Sequence, residues 1–124
     1  QRTGYGFAAY AAPWPAAIRP VCRFYLPPAA GDSHFYAADE RECVEVAQRF
    51  PSFVAESPAV FGVALPDANG RCPSPLVPLY RLWNARADSN HRYVLDAQTQ
   101  RAMIAQGYVA EGSGPAAVTM CVLP

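Results

Sequence analysis

Lysine is absent from this chain: all ten basic residues are arginine, and ten Asp and Glu residues balance them. Nucleic-acid binders and proteins that dock on anionic membranes carry a basic excess, so a formal charge of zero points away from both partners. No apolar run reaches the roughly 20 residues a membrane-crossing helix needs. The sequence does not open on Met and lacks a basic-then-apolar leader, so it reads as a mature or excised segment. Histidine occurs only twice and none of the four cysteines form a CxxC pair, which removes the common structural zinc patterns. A glycine-rich phosphate loop, HExxH and a nucleophile elbow are all missing. Asp67, Asn69, Asp88 and Asn90 lie in turn-like stretches without EF-hand spacing. No metal and no cofactor is expected.

Thirteen prolines and eight glycines over 124 residues indicate a loop-rich chain with many extended segments. The arginine-only, alanine-rich usage is the habit of GC-rich bacterial coding. An even number of cysteines in a small, proline-rich chain fits two disulfides and an oxidising compartment, with a secreted or extracellular location expected.

One passage is written twice. "RPVCRFYLPPAAGDSHFYAADE" at 19–40 returns as "VPLYRLWNARADSNHRYVLDA" at 77–97. Arg23 matches Arg81, Tyr25 matches Trp83, His34 matches His91, and Tyr36 matches Tyr93. Asp39 then answers Asp96, and Val54-Ala55-Glu56 answers Val109-Ala110-Glu111. "VFGVALP" at 60–66 and "VTMCVLP" at 118–124 close the two copies. The expected organisation is one compact domain: unit 1 over 20–66, a linker over 67–77, and unit 2 over 78–124. Residues 1–19 would be the tail of an incomplete preceding copy.

Within unit 1, alternation predicts strands at 21–26 and 33–37 joined by a turn. Asp39 is placed to cap a helix that ends near Arg49, before Pro51, with Cys43, Val46, Ala47 and Phe50 facing the sheet. Strands at 53–56 and 60–65 follow. Unit 2 repeats the plan with strands at 79–84 and 91–95, a helix over 97–106 capped by Gly107, and strands at 108–111 and 117–122. The fold class is therefore α+β: two pseudo-repeated β-β-α-β-β units, mostly antiparallel, one short helix each, stapled by disulfides. Three pairings of Cys22, Cys43, Cys72 and Cys121 are open; the placement of strands and helices favours Cys22–Cys43 and Cys72–Cys121.

The V-x-R-x-Y, turn, D-S-H-F-Y, helix pattern resembles an uncharacterised tandem-repeat domain of secreted bacterial proteins, with a consensus near V-Y-R-F-Y-N-x-x-x-G-x-H-F-Y-T. That domain is often C-terminal in extracellular proteases and also occurs in cell-wall hydrolases. Arg23, Tyr25, His34, Phe35 and Tyr36 carry the resemblance in unit 1; Arg81, His91 and Tyr93 carry it in unit 2, where Trp83 replaces the tyrosine and Arg92 the phenylalanine. The resemblance implies secretion and an accessory role, and it transfers no ligand.

The candidate ligand-binding residues are Arg23, Tyr25, His34, Tyr36, Arg81, Trp83, His91 and Tyr93. Flat rings offer apolar area to a pyranose, and polar neighbours bond its hydroxyls. The competing reading makes each histidine a hairpin residue bonded to a backbone carbonyl, and each arginine the internal partner of Glu56 or Glu111. Catalysis is not expected: Ser33-His34 are strand neighbours that point to opposite faces. A secreted, non-catalytic binding module for cell-wall or extracellular polysaccharide is the expectation. The alternative is an assembly subunit that joins another subunit, of the same or a larger secreted protein, through β-strand addition by its N-terminal partial repeat.

Overall fold

The computed structural model describes residues 7–10 and 17–124. Most of the expected N-terminal partial repeat, residues 1–6 and 11–16, lies outside them. In unit 1, β1 (Arg19–Pro20) and β2 (Cys22–Leu26) run in sequence. Between them Val21 bonds the backbone of Val60 and Phe61. Cys22, Phe24 and Leu26 are buried while Arg23 and Tyr25 take the other face, the period-2 pattern of a strand with one covered side. A 3-10 turn at Pro28–Ala30 leads into β3 (Ser33–Ala37), then α1 (Glu40–Arg49), β4 (Val54–Ser57) and β5 (Gly62–Val63). Unit 2 consists of β6 (Val77–Trp83), β7 (His91–Val94), α2 (Ala97–Ala105), β8 (Val109–Glu111) and β9 (Met120–Val122).

Both halves build the same three-strand core, ordered β3-β2-β4 and β7-β6-β8, and every strand pairing is antiparallel. The hairpin registers agree. Tyr25 faces His34 and Arg23 faces Tyr36 in the first, while Trp83 faces His91 and Arg81 faces Tyr93 in the second. The last strand of each unit leaves this core: β5 pairs with β1, and β9 pairs with the front of β6. A bridge between Ala64 and Cys121 joins these outer pairs, and Ala8 and Tyr10 bridge to Leu123 and Gly62. The first described residues thus tie together the closing strands of both units.

Asp39 and Asp96 cap the helices as expected, accepting from the N–H groups of Arg41 and Thr99. The face of α1 differs from expectation. Val46 is buried and Cys43 partly so, but Ala47 and Phe50 are exposed. The helix ends at Arg49 ahead of Pro51, so Phe50 leaves the helical face and stacks on Phe53. The expected strand at 60–65 is likewise reduced to Gly62–Val63. Both favoured disulfides, Cys22–Cys43 and Cys72–Cys121, are formed. The first ties α1 to β2; the second ties the linker to β9. The hairpin turns of the two units meet where Gly31, at φ +133°, lies against the backbone of Ser89.

Candidate functional site

On the outer face of unit 1, Arg23 and His34 converge on one carboxylate. Arg23 donates from Nε to Glu56 Oε1 at 2.9 Å, and His34 Nε2 lies 3.2 Å from the same oxygen. Glu56 reaches them through a β-bulge: Ser57 pairs with Arg23 and Ala55 with Phe24, leaving Glu56 as the extra residue. Aromatic rings flank the histidine, with Tyr25 at 5.4 Å and Tyr36 at 6.4 Å between centroids. Tyr25 donates its hydroxyl to Asp32 Oδ1 at 2.7 Å, and this bond to a carboxylate raises the phenol pKa above its ordinary value. The strip is open: the His34 side chain is 45 % exposed and that of Arg23 36 %.

Unit 2 contains the same constellation, enclosed. Arg81 Nε donates to Glu111 Oε1 at 2.9 Å, and His91 Nε2 sits 3.3 Å from that oxygen. Here unit 1 covers the outer edge of the guanidinium. Nη1 and Nη2 grip the two oxygens of Glu42 at 3.2 and 2.6 Å, and Nη1 also donates to the Tyr36 carbonyl at 3.0 Å. The Phe35 ring lies 4.5 Å from the guanidinium carbon and meets His91 edge-on. Arg81 is 3 % exposed.

Burial opposes the charge of Arg81, but the bond to Glu42 and the surrounding charges outweigh it and raise its pKa. Burial likewise works to raise the Glu111 pKa, yet the His91 bond and the Arg81 charge hold it below the ordinary carboxylate value. Tyr93 and Tyr36 complete the junction. The Tyr36 N–H donates to the Tyr93 hydroxyl at 2.8 Å, and that hydroxyl donates back to the Tyr36 carbonyl at 3.3 Å. Enclosure pushes the Tyr93 phenol pKa up.

Beside this junction runs a cleft of about 400 Å³, where Arg49, Phe50 and Phe53 of unit 1 face Trp83 and His91 of unit 2. Among the described residues, His91 Nδ1 is the buried side-chain atom without a hydrogen-bond partner.

All eight sequence-predicted ligand residues fall on the equivalent face of their own sheets, but in different settings. Arg23, Tyr25, His34 and Tyr36 gather on the open strip, with Tyr36 also touching Tyr93. Arg81, His91 and Tyr93 are held in the contact between units, and Trp83 borders the cleft. The expected Arg–Glu pairs are present in both units. The histidines approach those same carboxylates, not the backbone carbonyl of the structural reading. Glu42 was missed as a partner of Arg81; its only sequence signal is that of an acid in the first turn of a helix. Neither motif serine serves its neighbouring histidine. Ser33 Oγ donates to the Ser89 carbonyl, and Ser89 Oγ accepts from Trp83 and donates to the Arg86 carbonyl.

No curated protein and no solved structure matches the chain. The profile of an uncharacterised family, described as the domain of unknown function DUF5648, matches residues 1–118, and the chain belongs to that family.

Proposed function

We propose that this domain is a secreted, non-catalytic binding module of a bacterial protein that recognises cell-wall or extracellular polysaccharide. The ligand lies along Tyr25, His34 and Tyr36, beside Arg23. One observation carries the reading. The same Arg–His–Glu frame occurs twice, and protein closes it in unit 2 while in unit 1 it stays open between two tyrosine rings. Ring faces at this spacing offer apolar area to sugar rings, and the polar groups beside them bond hydroxyls. The two disulfides fit an oxidising exterior, and among the described residues no helix is long and apolar enough to cross a membrane.

Retention on insoluble peptidoglycan, chitin and cellulose tests the proposal, with Tyr25→Ala and His34→Ala alongside the parent. Retention on at least one matrix that drops in both variants, with unchanged thermal melts, is expected. Equal retention of parent and variants would remove the site, and no retention would remove the function. Assembly by N-terminal strand addition has less support, because Ala8 and Tyr10 already bond Leu123 and Gly62 within the chain.

A further inference from the structure

We infer that the open strip recognises a carboxylated polysaccharide, with Arg23 gripping a sugar carboxylate through its two terminal nitrogens. This rests on the glycan-binding reading and narrows it. The molecule holds its own precedent in Arg81. With Nε committed to Glu111 and His91 on the same oxygen, the outer edge of that arginine takes a second carboxylate bidentately. Arg23 has the matching inner frame, with Glu56 on Nε and His34 on the same oxygen. Its Nη1 and Nη2 bond to none of the described residues. A planar fork held at one edge presents the other in a fixed orientation, the geometry suited to a carboxylate.

Glu56 does not forbid a second acid, since Arg81 accommodates Glu42 with Glu111 already in place. Asp32, the other nearby carboxylate, is bonded to the Tyr25 hydroxyl. An aromatic ring, Phe35, covers the guanidinium in the closed copy. At the open copy the apolar face of a pyranose can take that role, with Tyr25 and Tyr36 beside it.

A second copy of this chain is a poor occupant. The residues of unit 1 that plug unit 2 are Glu42 and Phe35, and both are already engaged. Their counterparts on unit 2, counted from the matched Asp96 and His91, are Thr99 and Arg92. Head-to-tail stacking would bring no carboxylate to Arg23 and would set an arginine near it.

Affinity electrophoresis in polygalacturonate, in carboxyl-reduced polygalacturonate, in neutral hydroxyethyl cellulose and in poly-L-glutamate tests this, using the parent, Arg23→Gln, Arg23→Lys and Tyr25→Ala. The expected result is retardation by polygalacturonate that weakens roughly tenfold or more on carboxyl reduction and in Arg23→Gln, with no rescue by lysine. Tyr25→Ala should weaken it as well. Equal retardation by the intact and reduced polymers, lost in Tyr25→Ala alone, would overturn the carboxylate inference and leave the glycan reading standing. Retardation by poly-L-glutamate as strong as by polygalacturonate, or by poly-L-glutamate alone, would overturn it in favour of a protein carboxylate. Retardation in none of the polymers would overturn the carboxylate inference, while the glycan reading would stand or fall on retention by the insoluble matrices.

Discussion

Arg23 and Arg81 share a local frame and differ in burial, so their substitution should separate surface from interior electrostatics within one molecule. Arg23→Gln removes a pair with both side chains about a third exposed, and its effect on unfolding free energy should stay within about 1 kcal/mol. Arg81→Gln leaves Glu42 and Glu111 at the junction without their shared cation, and should cost about 3–5 kcal/mol. Urea denaturation of the two variants beside the parent reads both. Acid acts at the same junction. The Glu111 pKa is lower folded than unfolded, so its contribution is complete above the unfolded value, about 4.3, and fades as pH falls through the folded one. Melting temperature should therefore fall less on acidification in Glu111→Gln than in the parent. An equal fall would show that other groups carry the acid dependence.

At the scale of the element, the meeting of the two hairpin turns is the exacting contact. Gly31 combines a positive φ with the Ser89 backbone against its α-carbon, and the Ser89 N–H donates to the Ala30 carbonyl at 2.9 Å. Gly31→Ala should cost about 1–3 kcal/mol from backbone strain alone, read as a lower urea midpoint with an unchanged slope. The helices and hairpins were legible in the sequence because they rest on local rules: alternation in 22–26 and 33–37, and caps at Asp39 and Asp96. What was not legible depends on irregularity. A bulge at Glu56 breaks no hydrophobic pattern, because it adds one exposed residue to an already exposed strand. Phe50 looks like the next turn of the α1 face, and only the exit of the chain toward Pro51 turns it to solvent.

In the whole molecule, repetition made the eight candidate residues visible, but it also made the two sets look equivalent. Their difference arises from docking: α1 and β3 of unit 1 lie over the Arg81 face through Glu42 and Phe35, whose unit 2 counterparts are Thr99 and Arg92, a difference whose meaning emerges only from the contact itself. The disulfides act at this scale too. Cys72–Cys121 closes a loop spanning 49 residues between the linker and β9, and replacing both with serine should cost about 2–5 kcal/mol. Denaturation under non-reducing conditions measures it; a loss no larger than that of a surface substitution would refute it.

The bridges from Ala8 to Leu123 and from Tyr10 to Gly62 bear on the order in which the domain matures. A chain emerging from its N-terminus carries the Ala8 segment through the making of both units before Leu123, one of its partners, exists. Contacts between such distant residues come late and slowly in folding, because nearly the whole chain must first be closed into a loop. Final closure of this domain thus waits for the segment that carries Cys121 and Leu123, and a nascent chain displays the end of β5 without its Cys121 neighbour until that segment has emerged.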